Sequence, residues 1–253
     1  MGSILHKGVA MKRAINICCA AFCVTALMLP VSVRAQQSPP QAATYATEGG
    51  WGQLVIESAG AKGIQTFSLD TENAGSGCTF SGRLNPGGGA VVYEGDAPSQ
   101  CALDLTIAPN GLVVSTSTKE QCREYCGNNG SFEGDYHYVP ALCAQPALDK
   151  TRRLFKKLYD EKKYAQAETT LAPVYRECLN TMGMMDEGGL RNDYALTQYK
   201  LKDKAGCLAT LSKYRQDAAM ADDAITQDMS PAVVDDYLSV IHAARTNIAL
   251  CVK

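Results

Sequence analysis

The chain has 253 residues, which is enough for one large domain or two small ones. Its apolar fraction of 46% is ordinary for a globular protein, so each half of the chain can bury a hydrophobic core. The formal net charge is −2 and the sequence has no basic run, which argues against nucleic acid or an anionic membrane surface as a partner.

Residues 1–35 have the layout of a secretory signal peptide. A basic pair is followed by an almost wholly apolar stretch over residues 14–33, and Val33-Arg34-Ala35 places small residues before a cut. A membrane anchor is the alternative, because about 20 apolar residues can span a bilayer. The helix-breaking Pro30 and the cleavage site favour a signal peptide.

Cleavage after Ala35 removes no acidic residue and four basic ones, which are Lys7, Lys12, Arg13 and Arg34. The remaining chain then has 20 basic and 26 acidic residues and a formal net charge of −6. We therefore expect an acidic periplasmic or secreted protein with no stable membrane span after cleavage. Met1 and Met11 are alternative start sites.

Eight of the eleven cysteines lie after the predicted cleavage site: Cys78, Cys101, Cys122, Cys126, Cys143, Cys178, Cys207 and Cys251. An even number of cysteines in an exported chain predicts disulfides. No pair has CxxC spacing, so the sequence indicates neither a thioredoxin-like site nor a zinc ribbon. We expect a Cys78–Cys101 bond between neighbouring strands and a Cys207–Cys251 bond between helices.

Residues 36–50 are rich in Pro, Gln, Ala and Thr and are predicted to form a flexible lead-in. From Trp51 onward, apolar and polar residues alternate in short runs, as over Cys101–Ala108. Turn residues separate these runs about every 8–12 residues. Residues 51–143 are therefore predicted to form a small disulfide-stapled antiparallel β-barrel or sandwich.

The stretch from Cys122 to Cys143 is predicted to close the β-domain. Cys122–Cys126 has the length of one helical turn, and its two cysteines are expected to have different partners. Their Cβ atoms would lie about 5–6 Å apart on a helix, which is too far for a direct bond. Residues 131–138 then alternate like a last strand. On it, Glu133, Asp135 and His137 form a candidate contact surface.

After Cys143 the apolar period changes to that of a helix, which predicts a helical domain over residues 144–253 and an α+β protein overall. Pro173 predicts a kink or break in one helix. Ser230-Pro231 predicts the start of the last one, with Ser as the cap and Pro at the first position.

Two helical segments align at an offset of 40 residues. Leu158–Leu171 (LYDEKKYAQAETTL) aligns with Gln198–Leu211 (QYKLKDKAGCLATL), and Ala167 aligns with Cys207. This pattern resembles tetratricopeptide repeats, and the resemblance covers residues 148–252. It implies a right-handed helical stack that binds a protein or peptide. A plain helical bundle packed on the β-domain is the alternative.

Counting Cys143 with the β-domain gives five cysteines there and three in the helices. Both counts are odd, so complete oxidation would require at least one disulfide between the two parts. With Cys207 bonded to Cys251, Cys178 would be left for Cys122, Cys126 or Cys143. If Cys143 instead belongs to the helices, each part can close on itself.

The sequence contains no constellation of catalytic, metal-ligating or cofactor-binding residues. His137 and His242 lie too far apart in the chain to indicate a metal site or a catalytic triad. We expect a non-enzymatic protein that binds a protein or peptide of the cell envelope through its helical repeats, its β-domain or both. One alternative is a hydrolase of cell wall or glycan that uses Glu133 and Asp135. The other is a disulfide-exchange or folding factor that uses Cys122 and Cys126.

Overall fold

The computed structural model describes residues 40–60, 62–73, 75–85 and 89–253. Over these ranges the protein is α+β, as predicted, with an antiparallel β-barrel followed by helices. The predicted signal peptide, its cleavage site after Ala35 and both start sites lie outside the described residues. Among the helices of the described ranges, none has both the length and the apolar character that a membrane span needs.

Eight strands of the described chain form a closed barrel, so the barrel alternative is correct and the sandwich is not. Each strand pairs antiparallel with the next, and the last pairs with the first, with Tyr138 opposite Tyr45. The strands are β1 (Ala43–Thr47), β2 (Gly52–Ile56), β3 (Thr66–Asn73), β4 (Ser76–Leu84), β5 (Gly89–Glu94), β6 (Ala97–Ala108), β7 (Gly111–Ser115) and β8 (Gly134–Tyr138).

The first strand corrects the prediction of a flexible lead-in over residues 36–50. Residues 43–47 form β1, which hydrogen-bonds to both β2 and β8 and closes the barrel. Tyr45 and Thr47 point inward and are buried. The prediction of a flexible lead-in is therefore wrong for residues 43–47. Their residues are mostly small or polar, and with Tyr45 as the only large apolar side chain the sequence shows no clear strand pattern.

The barrel interior is filled by side chains of alternate strand positions. Five large residues are almost inaccessible to solvent: Leu54, Leu69, Phe80, Leu103 and Tyr136.

At one end, which we call the closed end, α1 (Lys119–Cys122) and a 3-10 turn (Arg123–Tyr125) are held to β4 and β6 by disulfides. Phe132 adds an edge-to-face contact to Phe80 there, with ring centroids 4.7 Å apart. The opposite end, where β6 turns into β7 and β8 ends, is the open end.

The disulfides at the closed end are Cys78–Cys126 and Cys101–Cys122, so the predicted Cys78–Cys101 bond is wrong. Cys78 lies on β4 and Cys101 on β6, and β5 separates these two strands. Each cysteine instead bonds to the segment that lies across the end of the barrel. The prediction that Cys122 and Cys126 have different partners is confirmed.

The rest of the described chain is helical, and successive long helices pack against one another. The helices are α2 (Gln145–Asp160), α3 (Tyr164–Glu177), α4 (Met184–Lys200), α5 (Lys204–Thr210), α6 (Arg215–Ala218), α7 (Asp222–Thr226) and α8 (Pro231–Val252). The predicted start at Ser230-Pro231 is confirmed, although the Ser230 side chain makes no capping hydrogen bond. The helix α3 continues through Pro173, so the predicted break is wrong.

The turns after α2 and α4 have the same backbone conformation. Lys162 and Lys202, which are 40 residues apart, both have positive φ, at 58° and 66°. Each donates its backbone N–H to a tyrosine carbonyl three residues earlier, over 2.9 Å in both turns. Ala167 and Cys207 follow at equivalent positions and are fully buried. The tetratricopeptide nature of these helices stays a prediction.

The helical half contains the Cys143–Cys178 and Cys207–Cys251 disulfides, and the second confirms the predicted pair. Cys143 ends a 3-10 turn just before α2, and its side chain packs in the same core as Leu148 and Phe155. By packing, Cys143 therefore belongs to the helices, and each half closes on itself. Four disulfides are typical of proteins from an oxidising compartment, either extracellular or periplasmic.

Candidate functional site

The three residues of the predicted contact surface differ in their position relative to β8. Glu133 precedes β8, and its carboxylate lies 3.2 Å from the Lys119 ammonium beside a cavity of about 330 Å³ at the closed end. Asp135 and His137 lie on β8 at outward positions, and neither lines that cavity. Their use as a contact surface, or of Glu133 and Asp135 as a hydrolase pair, stays a prediction.

The two cysteines of the predicted exchange site are both in disulfides. Cys122 is fully buried and bonded to Cys101 inside the barrel, whereas Cys126 is partly exposed. Exchange at either residue would break a bond that holds α1 across the closed end. The disulfide-exchange function also stays a prediction.

A different site lies where the barrel meets the helices. It is a groove of about 530 Å³, which we call the junction groove. The residues that line it are Gly49, Gly50, Trp51, Glu72, Gly183, Met184, Met185, Asp186, Met229, Ser230 and Val233. Four of them are large apolar side chains with partial exposure: Trp51, Met184, Met185 and Met229.

The barrel wall of the groove is fixed by aromatic packing. The Trp51 ring packs edge-to-face on Tyr136, with centroids 6.4 Å apart. The Tyr136 hydroxyl donates a 2.9 Å hydrogen bond to the Phe132 carbonyl, and burial raises the pKa of this phenol. Trp51 thus presents an aromatic surface on a rigid support to the groove.

The helical wall is formed by the starts of α4 and α8. Met184 and Met185 are the first residues of α4, and Met229 lies just before α8. Methionine side chains are unbranched and polarisable, so they adapt to ligands of different shape. Neither helix has a side-chain cap. The first backbone N–H groups of α4 lack intrahelical acceptors. In contrast, α8 begins with Pro231, which has no N–H, and the Val233 N–H donates to the Ser230 carbonyl.

The base of the groove depends on close backbone contact at one glycine. Gly50 has φ of 66°, in the region that favours glycine, and its backbone approaches residues 181–183. A Cβ atom at this position would lie 2.5 Å from the Gly183 nitrogen and 2.9 Å from the Thr181 carbonyl oxygen. Only glycine therefore allows the two halves to meet this closely.

Both charged side chains in the lining are acidic. Glu72 is exposed at the barrel wall, and Asp186 on α4 accepts a 2.7 Å hydrogen bond from Arg152 of α2. No basic side chain is among the described residues that line the groove. The groove is thus apolar along its walls, with the exposed Glu72 carboxylate at its edge and the Asp186 carboxylate paired with Arg152.

The groove was not predicted, although two sequence signals point toward it. Trp51 is the only tryptophan of the chain, and Met182, Met184 and Met185 cluster at the start of α4. Partly exposed methionines next to an aromatic residue are a feature of adaptable binding surfaces. The sequence does not show that these segments come together with residues 229–233.

No group of three or more His, Cys, Asp or Glu side chains in the described ranges is placed to hold a metal ion. No protein family, curated protein or solved structure significantly matches the chain. The geometry of the junction groove is therefore the basis for a functional assignment.

Proposed function

We propose that this is an exported, non-enzymatic protein of the periplasm that binds a protein or peptide partner in the junction groove. The partner inserts an apolar side chain between Trp51 and the methionines of the helical wall. The observation that carries this proposal is the groove itself, with one rigid aromatic wall and one adaptable methionine wall.

The size and lining of the groove fit one or two side chains of an extended segment. Binding pockets commonly measure about 300–1,000 Å³ and are lined mainly by apolar groups with a few polar ones. The uncapped start of α4 supplies backbone N–H donors. The carbonyl oxygens of an extended peptide are suitable acceptors for these donors.

The charge of the groove favours a basic residue next to the inserted apolar one. Glu72 and Asp186 lie at the edge of the apolar surface, and the chain after the predicted cleavage is acidic overall. A lysine or arginine beside the apolar side chain would approach the Glu72 carboxylate, since Asp186 is already paired with Arg152, and would raise the association rate.

The helical half has features of a repeat-like scaffold, and these features support the proposal of peptide binding. The turns at Lys162 and Lys202 are alike, and small buried residues follow at Ala167 and Cys207. We propose that α2–α3 and α4–α5 are two tetratricopeptide-like units and that α8 covers the end of the stack. The start of α4 then places a repeat unit directly against the groove.

Selection of short displayed peptides on the full chain tests this function. We expect the selected sequences to share an apolar residue next to Lys or Arg. Binding should shift the fluorescence of Trp51, which reports on the groove alone because no other tryptophan is present. Selected peptides without this pattern, or without any effect on Trp51 emission, would contradict the proposal.

Two substitutions and a matched control locate the interaction. We expect Met184→Ala to weaken peptide binding about tenfold, since it removes a contacting side chain. Glu72→Lys should slow association through charge reversal at the groove edge. Glu57→Lys makes the same charge change at an exposed site that does not line the groove and should have little effect. Equal affinities for all three variants would rule out the groove as the binding site.

A further inference from the structure

The open end of the barrel exposes residues that occupy inward positions. Ile107 has the same strand orientation as the buried Leu103 and Leu105 of β6, yet it is 47% exposed. Tyr138 follows the buried Tyr136 in the same orientation on β8, yet it is 50% exposed. With Ile64 in the β2–β3 connection, this end contains three of the six exposed large apolar residues in the described chain.

Ile107 and Tyr138 border a pocket of about 580 Å³ at the open end. Its lining consists of Gln41, Tyr45, Ile107, Ala108, Pro109, Asn110, Gly111, Leu112 and Tyr138. No carboxylate, ammonium, guanidinium or imidazole group is among these residues. The mouths of β-barrels are frequent ligand sites, and this pocket has the size and mainly apolar lining of one.

We propose that the open end binds a neutral saccharide. The barrel interior below the pocket is packed with Leu54, Leu69 and Leu103, all fully buried, so the described residues leave no tunnel there for an acyl chain. A ligand must therefore lie across the mouth. A sugar ring is suited to this position because it has one face of C–H groups and a rim of hydroxyl groups.

The side chains at the mouth match both parts of such a ring. Tyr138 and Ile107 provide an exposed apolar surface for the C–H face, and the Tyr45 ring supports Tyr138 edge-to-face with centroids 6.3 Å apart. The Asn110 and Gln41 amides can each donate and accept hydrogen bonds to hydroxyl groups. An uncharged lining favours a neutral sugar over an acidic one, because a charged ligand would lose hydration without gaining an ion pair.

Isoleucine-methyl NMR on the full chain tests this proposal. N,N′-diacetylchitobiose and cellobiose serve as neutral probes, and glucuronic acid as a charged one. We expect a saturable shift of the Ile107 methyl signal with at least one neutral sugar, a weaker effect of the acid and no shift of Ile225, Ile241 or Ile248 in the helical half. No shift of Ile107, or equal shifts of all isoleucines, would overturn the proposal. A saturable response to 1-octanol but to neither neutral sugar would also overturn it.

Variants at the mouth separate a specific site from general surface contact. Tyr138→Ala should weaken binding of the neutral sugar about tenfold, since it removes the stacking surface. Asn110→Ala should weaken it to a smaller extent, and the signal of Ile56, which is buried in the barrel on β2, reports whether the barrel of either variant remains folded. Leu154→Ala, at an equally exposed position on α2, should leave the affinity unchanged. An unchanged affinity for both mouth variants would overturn the proposal.

The pocket at the open end shares no lining residue with the junction groove, so a negative result for saccharide binding leaves the peptide-binding function intact.

Discussion

The barrel and the helical half each contain two disulfides, but the bonds have different structural roles. In the barrel, hydrogen bonds between β1 and β8 already close the sheet, and the disulfides fasten α1 across one end. In the helical half, Cys207–Cys251 joins α5 to α8, which the chain separates by two short helices. Backbone pairing therefore closes the first half, while side-chain contacts and disulfides must close the second.

Removal of the Cys207–Cys251 bond should have the largest effect. We expect the double substitution Cys207→Ala and Cys251→Ala to lower the free energy of unfolding of the helices by about 2–5 kcal/mol, because the bond closes a long loop. Urea unfolding followed by the helical circular dichroism signal measures this loss. Hydrogen exchange should show that the barrel amides keep their protection.

The matched barrel variant replaces Cys101 and Cys122 with alanine. That bond closes a shorter loop, with a sequence separation of 21 against 44, and the β1–β8 ladder remains. We expect a smaller loss of stability. A larger loss of stability in the barrel variant than in the helical one would mean that the β1–β8 ladder does not compensate for the missing disulfide.

A substitution at the contact between the halves should have the next largest effect. Gly50→Ala forces a Cβ against the backbone of Gly183 and should destabilise the protein by about 1–3 kcal/mol in chemical denaturation. Gly49→Ala is the control, because its φ is also positive, at 74°, but no atom lies within 4 Å of the new Cβ. Its cost should be only about 1 kcal/mol of backbone strain. Equal losses for the two variants would mean that the close contact contributes nothing.

Two neighbouring glycines of α4 test the packing within the helical half. A Cβ at Gly188 would lie 2.5 Å from a Val240 methyl group of α8, so Gly188→Ala should cost about 1–3 kcal/mol. Gly189 is exposed with open space around it, and Gly189→Ala should stabilise the helix by up to about 1 kcal/mol. Thermal unfolding should show shifts of opposite sign. Shifts of the same sign would contradict tight contact between α4 and α8.

The smallest effect concerns a surface contact of α7 and α8. Asp222 lies 2.7 Å from His242 and 3.2 Å from Arg245, and these partners lower the pKa of its carboxyl group, with the hydrogen bond to His242 as the main cause. The resulting stability is present above the ordinary pKa of 3.8 and is lost as the pH falls through the lowered value. Unfolding midpoints of wild type and Asp222→Asn should therefore differ at neutral pH and converge in acid. A constant difference across the titration would exclude this cause.

Local patterns in the sequence predicted much of the fold. Seven of the eight strands, the last helix and the Cys207–Cys251 pair follow from alternation, capping residues and apolar stripes. β1 could not be recognised in this way, since Tyr45 is its only large apolar side chain. The same limit applies to Cys78 and Cys101, whose partners depend on how the Cys122–Cys126 segment lies across the barrel.

The functional surfaces were less predictable than the fold. Glu133, Asp135 and His137 were grouped because they alternate along the sequence, but Glu133 lies outside β8 and faces Lys119. The junction groove combines four separate chain segments, at residues 49–51, 72, 183–186 and 229–233. None of these segments has a motif by itself, so only their proximity in three dimensions identifies the groove.

Closure of the barrel by its first and last strands constrains the order of folding. β1 emerges early from a chain that is synthesised or exported from its N-terminus, but its β8 partner follows only after the rest of the barrel sequence. Until then β1 and β7 each have an unpaired edge that could pair with another molecule. We therefore expect aggregation to be most severe for nascent chains that end between β7 and β8, and to decline sharply once Tyr138 is available.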